Sequence, residues 1–98
     1  MKTEEMKINN IPGILWRKDS PQIIIAAHGS RSSKTDDCMQ ILAQEVVPLG
    51  YQVLSFDFPQ HGERVHETKP CMAQECVKEL KDILAYARQR AEKNTVVI

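Results

Sequence analysis

Apolar positions fall along this chain in two alternating patterns. Residues 23–27 read Ile-Ile-Ile-Ala-Ala, continuously apolar and β-branched at the start. That is how a strand buried on both faces reads. Residues 51–58 carry Val53, Leu54 and Phe56 and form a second such segment, and residues 94–98 begin a third. Between the first two, Cys38, Ile41, Leu42, Val46 and Leu49 recur with a helical period. Ser33, Thr35 and Asp36 can each cap the start of that helix. Gly50 stands where a left-handed C-terminal glycine belongs, and Pro48 shortens or bends the last turn. Further on, Met72, Cys76, Leu80, Ile83, Leu84, Ala87 and Ala91 mark one stripe of an amphipathic helix of about 20 residues. Lys78, Glu79, Lys81, Asp82, Arg88 and Arg90 lie off that stripe, and Pro70 suits the helix's first turn.

Ahead of these elements, residues 4–9 predict a short strand, and Asn9-Asn10 and Pro12-Gly13 are turn formers. Residues 13–17 contain Ile14, Leu15 and Trp16 and return antiparallel to the first strand; Asp19-Ser20-Pro21 is a second break. The order β-β-β-α-β-α-β predicts a three-layer α/β/α sandwich, antiparallel at its N-terminal hairpin and parallel afterwards. The strand at 23–27 is expected to pair with 51–57 on one side and 94–98 on the other. Right-handed crossovers running in opposite directions then place the two helices on opposite faces.

Composition narrows the function classes. Ninety-eight residues suffice for one small domain. Thirteen basic and thirteen acidic residues cancel and form no basic stripe, which speaks against nucleic acid or an anionic membrane as partner. The apolar run at 23–27 is far too short to span a bilayer. The first ten residues, MKTEEMKINN, hold no apolar core of a secretory signal. Cys38, Cys71 and Cys76 are odd in number and show no C-x-x-C spacing, so they read as reduced thiols of a cytoplasmic protein rather than a disulfide framework or zinc site.

The chemistry-bearing residues gather after two parallel strands, at the sheet edge where open α/β folds bind ligands. One turn opens with His28-Gly29-Ser30; the other runs Asp57-Phe58-Pro59-Gln60-His61-Gly62-Glu63-Arg64. With a helix between them, these segments resemble the N-terminal part of an α/β-hydrolase domain, of the serine esterase or acyl-hydrolase branch. His28-Gly29 is similar to that family's oxyanion-hole turn, and the second segment to its D-x-x-x-H-G-x-[RS] loop. The resemblance covers the whole chain and is sharpest over 23–64.

The resemblance implies specific roles. The backbone N–H of Ser30 would be one oxyanion donor, a fixed dipole stabilising the charge of a tetrahedral intermediate. His28 and Gly29 would set the geometry of the turn, Gly29 by letting the backbone bend sharply and approach substrate. Asp57, His61 and Gly62 would belong to a loop beside the substrate pocket. The substrate would be a small-molecule ester or acyl compound, handled without cofactor or metal. The family's nucleophile sits in G-x-S-x-G, and Gly13, Gly29, Gly50 and Gly62 bracket no serine at that spacing. Residues 94–98 are similar to the strand leading into that elbow. The expectation is therefore that residues 1–98 are the N-terminal portion of a single domain whose Ser-Asp-His triad lies beyond Ile98, and that the chain alone is inactive. Its last strand would then offer an uncovered edge for self-association.

Plainer readings stand beside these. Asp57 at a strand end can be catalytic or can bind the N–H groups of its own loop. Ser30, Ser32 and Ser33 can include a nucleophile, or can serve as backbone and helix start. His28, His61 and His66 lack the spacing of a metal site. Cys71 and Cys76, five apart, share no helix face well, and Cys76 reads as core; Glu63-Arg64 reads as a surface pair. Two other function classes remain. Gly29-Ser-Arg-Ser-Ser-Lys34-Thr35 after a buried strand superficially resembles a phosphate or nucleotide loop but lacks its second glycine, and AHGSR is also similar to the wording of tetrapyrrole chelatases. The other class is a non-catalytic interaction fragment.

Overall fold

The computed structural model describes residues 2–17, 20–91 and 94–97, the last four by their backbone only. Strands β1 (Lys2–Ile8) and β2 (Ile11–Arg17) form a hairpin, followed by β3 (Gln22–Ala27), α1 (Asp37–Val46), β4 (Gln52–Phe56), α2 (Ala73–Arg90) and β5 (Asn94–Val97). Asn9 and Asn10 both take left-handed φ, 49° and 68°, as a two-residue type I′ hairpin turn requires. The five strands form one sheet in the order β1-β2-β4-β3-β5. β3 runs parallel to β4, with Ile24 opposite Val53, and parallel to β5, with Ile24 opposite Val96. Ile98, expected in this last strand, lies outside the described residues.

Side chains alternate between two cores. Ile23 and Ile25 of β3, Leu54 and Phe56 of β4 and Leu15 of β2 pack on one face against Ile83, Ala87 and Ala91 at α2. Ala26, Val53, Ile14 and Trp16 point the other way, against Met39, Ala43 and Val47 at α1. The helices therefore cover opposite faces, as the crossover argument requires. The sheet is the middle layer of an α/β/α sandwich.

The helices differ from the sequence expectation in detail. In α1 the buried residues are Met39 and Ala43, while Cys38 is exposed and Ile41 and Leu49 are 57% and 74% exposed. Leu42 and Val46 are half-buried against that core. The apolar stripe lies one residue on from the one the periodicity predicts, because small Ala43 carries less weight in a pattern than Ile41 although it is the residue at the contact. Asp36 is the cap, its carboxylate accepting from the Cys38 N–H at 3.0 Å. Val47–Leu49 tightens into a 3-10 turn at Pro48, and Gly50 closes it with φ 104°. α2 begins at Ala73 with Met72 as its cap, so Pro70 precedes the helix rather than opening it. Met72 is exposed, Cys76 is half-buried rather than core, and Glu79, expected on the solvent face, is buried.

Candidate functional site

Two turns meet at the carboxyl ends of β3 and β4. The first covers residues 28–36, the second 57–69. The link between them is His28. It is buried; its Nε2 accepts the Phe58 N–H at 3.0 Å, and its Nδ1 lies 2.7 Å from the Gly29 carbonyl. Only the Nδ1–H tautomer satisfies both contacts. Burial holds the ring's pKa below its ordinary value, and neighbouring His61 adds to this, against the pull of the Gly29 carbonyl and the Asp57 and Asp36 carboxylates. His28 is thus a neutral latch with neither nitrogen available for proton transfer.

A second link lies deeper. Asp57, fully buried, accepts the Lys34 N–H at 2.8 Å, the Lys34 ammonium at 3.1 Å and the Glu63 N–H at 3.1 Å. The loop-organising reading of Asp57 is the one the geometry supports, with the addition that two of these three contacts come from Lys34 in the other turn. Lys34 also reaches Glu63 at 2.6 Å. Burial disfavours the charge on Lys34, but the bonds from Glu63 and Asp57 outweigh it and hold the pKa above the usual lysine value. A Cβ on Gly62 would overlap the Asp57 carboxylate, and Gly62 sits at φ 55°, so only glycine fits there.

Glu63 and Arg64 are not the surface pair their adjacency suggested. Arg64 is buried and forks onto Glu79 of α2 at 2.5 and 2.9 Å, onto Glu67 at 2.9 and 3.0 Å, and onto the Asp57 carbonyl at 3.0 Å. The Glu79 contact first, then Glu67, raises the guanidinium's pKa above its ordinary value. This bidentate bond docks the second turn onto α2. Nothing in the local pattern announces it: the partners are 15 residues apart and Glu79 lies off the apolar stripe.

Above these links a pocket of about 340 Å³ is lined by His28, Gly29, Ser30, Phe58, His61 and Cys71. His61 donates from Nδ1 to the Pro59 carbonyl at 2.9 Å, and its ring sits 4.9 Å from that of His28. Among the described residues its Nε2 has no hydrogen-bond partner. The Ser30 N–H is also without an acceptor among the described residues, and Ser30 is exposed. The sharp bend of the turn is made by Arg31, with φ 63°, and not by Gly29, whose backbone is not left-handed. Gly29 instead leaves the space beside it open: an added Cβ would meet nothing within 4 Å. Phe58 and Cys71 were not foreseen as lining residues. Among the described residues no group of three or more His, Cys, Asp or Glu is placed to hold a metal, and no helix is long and apolar enough to cross a membrane.

No family model matches the chain, and no curated protein matches it. Solved structures do. The Pyrococcus furiosus esterase Pf2001 superposes with a TM-score of 0.77 at 23% identity, over 98% of this chain and 38% of its own. A cold-adapted esterase from an Arctic intertidal metagenomic library gives 0.75 at 17% identity, over 97% and 47%. TT1662 from Thermus thermophilus gives 0.74 at 20% identity, over 98% and 44%. The chain is a partial α/β-hydrolase fold. It spans less than half the length of each of these structures.

Both turns lie at the carboxyl ends of parallel strands, the edge where open α/β sheets bind ligands. The geometry brings together His28, Gly29, Ser30 and His61 at the pocket. Asp57 and Gly62 are not among its lining residues and belong to the links that hold the two turns. The sequence placed all six in one region but could not separate those that line from those that support.

Proposed function

We propose that this chain supplies the oxyanion-hole turn of a serine ester or acyl hydrolase, and that residues 1–98 are the N-terminal portion of that single catalytic domain. The observation that carries the reading is the unpartnered Ser30 N–H beside an open pocket, held by a turn whose histidine is fully engaged elsewhere. A backbone N–H fixed in this way stabilises a developing oxyanion without reorganising. Among the described residues the Ser30 hydroxyl is hydrogen-bonded to neither His28 nor His61, and none of them is placed as a base to activate it as a nucleophile. The nucleophile and its acid and base belong to sequence following Ile98. The substrate class is a small-molecule ester or acyl compound, in line with the esterases named among the structural neighbours. Acyl transfer of this kind needs no cofactor, and the three cysteines as reduced thiols of a cytoplasmic protein belong to the same proposal.

The phosphate and tetrapyrrole alternatives fit the geometry less well. The cation a phosphate loop would use, Lys34, is turned inward onto Asp57 and Glu63. A chelatase needs a histidine with a free nitrogen after the strand, and His28 has none.

The test uses a serine-reactive fluorophosphonate and activated esters. The 98-residue chain is expected to stay unlabelled and to hydrolyse nothing above background. A protein extended through the following coding sequence is expected to label at a downstream serine. In it, Ser30→Pro removes the donor and lowers kcat by about 10²–10³, while Ser30→Ala keeps the N–H and costs far less. Labelling at Ser30, or equal losses from both substitutions, would overturn the proposal.

Self-association through β5 is part of the same reading. β5 is an edge strand, and its outer backbone groups have no partner among the described residues. The 98-residue chain is expected to show concentration-dependent mass in sedimentation, weakened by Val97→Lys, since charge on an edge strand discourages pairing. A sharp monomer at all concentrations, unchanged by the lysine, would remove this point and leave the oxyanion assignment standing.

A further inference from the structure

The first turn of α2 brings two thiols together. Met72 is the helix cap, and its side chain makes no capping hydrogen bond. Cys71 is then the residue before the cap, and Cys76 is the fourth residue inside the helix. Side chains at these two positions meet across a helix entry, where apolar residues form a hydrophobic staple. Here both are cysteines, and their Sγ atoms lie 3.6 Å apart. The incoming chain is held in place, because the Cys71 N–H donates to the Gln60 side-chain oxygen at 3.2 Å. Cys71 also lines the pocket beside Ser30 and His61. The remaining thiol, Cys38, is exposed on α1, which covers the other face of the sheet.

A staple needs only apolar contact, and two valines would serve it. Two half-buried thiols within van der Waals contact do more. Their sulfurs need approach by only about 1.5 Å to reach the bonded distance of roughly 2 Å.

We propose that Cys71 and Cys76 form a redox-active dithiol at the pocket rim, which a low-molecular-weight disulfide such as oxidised glutathione converts to an intramolecular disulfide. The Cys71 thiolate attacks one sulfur of the reagent, whose S–S bond breaks, and the first glutathione thiolate leaves. Cys76 then gives up its proton to solvent and attacks the Cys71 sulfur. The Cys71–Cys76 bond forms and the second glutathione thiolate leaves. Two electrons pass from the two protein thiols to the reagent, and both glutathiones end reduced.

The order follows from the surroundings. Cys71 faces the pocket, through which the reagent enters. Burial, and then the Cys71 thiol, pushes the Cys76 pKa up to about 11. Cys76 is therefore the poorer nucleophile of the pair and reacts second, on the adjacent mixed disulfide. The closed bond would tie one wall of the pocket to α2. None of this depends on the hydrolase reading of the same pocket.

The test equilibrates the full chain, with Cys38→Ser to remove the third thiol, in glutathione redox buffers with and without urea. Alkylation and mass spectrometry of the peptide carrying both cysteines give the oxidised fraction. The expected result is loss of two hydrogens within that peptide, at a reduced-to-oxidised glutathione balance at least tenfold more reducing in the folded chain than in urea. That tenfold corresponds to about 30 mV. With Cys76→Ala, glutathione is expected to remain attached at Cys71. With Cys71→Ala, modification of Cys76 slows at least tenfold. Equal oxidation with and without urea, a glutathione adduct that persists on Cys71 when Cys76 is present, or faster attack at Cys76 than at Cys71 would each overturn the proposal.

Discussion

The chain carries the dipeptide His-Gly twice, once after each of two adjacent parallel strands, and the two copies divide their labour in opposite ways. In His28-Gly29 the histidine is structural: both ring nitrogens hold backbone groups, and burial keeps it neutral. The glycine is the open position, with nothing within 4 Å of where a Cβ would stand. In His61-Gly62 the glycine is structural, left-handed and pressed against the Asp57 carboxylate. The histidine is the open group, with one nitrogen on the Pro59 carbonyl and the other free of protein partners among the described residues. Identical words in a sequence therefore name different jobs, and the neighbours in space decide which.

The sharpest way to break this contrast is at Gly62. A methyl group there must displace the carboxylate that accepts from Lys34 and Glu63, and must sit at a φ of 55°. Overpacking and left-handed strain together are expected to cost about 2–5 kcal/mol. Urea unfolding of Gly62→Ala checks this, and a loss under 1 kcal/mol would show that the second turn tolerates what its geometry forbids.

The histidines come next. His28→Ala leaves the Phe58 N–H and the Gly29 carbonyl without their partner, at about 1–3 kcal/mol. His61→Ala loses one bond to the Pro59 carbonyl, at about 0.5–1.5 kcal/mol. A pH series tests the first of these substitutions. The folded pKa of His28 lies below its ordinary 6.5. As pH falls through 6.5 the unfolded chain gains this proton first, so stability from His28 is complete above that pH and is lost progressively below it. His28→Ala is expected to flatten the stability slope below pH 6.5 relative to the parent chain. An unchanged slope would mean the ring titrates as freely in the fold as out of it.

These effects bear on what could be read beforehand. The neighbours of β3, the placing of the helices on opposite faces and the meeting of the two turns are legible, because continuous β-branched runs, helix-length spacers and turn residues are local signals; the docking of the hairpin on β4 is not. The supporting ion pairs were not. Arg64 and Glu79 each look like surface residues within a helical or loop window, and only the docking of the second turn on α2 buries them together. The Cys71–Cys76 contact is hidden for a related reason. On one helix, residues five apart diverge, whereas Cys71 precedes the cap and folds back. The stripe of α1 failed on size, since Ala43 at the contact counts for less in a pattern than exposed Ile41.

The smallest structural effect, and the most discriminating, is expected at Gly29. Its backbone is not left-handed and the volume beside it is open, so Gly29→Ala introduces neither strain nor overlap. The unfolding free energy is expected to stay within about 0.5 kcal/mol of the parent. Gly29 nevertheless lines the pocket together with Ser30, so a methyl there is expected to crowd the approach of an oxyanion to the Ser30 N–H. In a protein extended to include its nucleophile, a displacement of the reacting carbonyl by about 1 Å is worth roughly 10²-fold in rate. Stability and turnover are thus expected to part company at this residue, while at Gly62 they fall together. A Gly29→Ala chain that unfolds early would make the first glycine structural like the second. One that is both stable and fully active would place the reacting atoms away from this turn and remove Ser30 from the oxyanion hole.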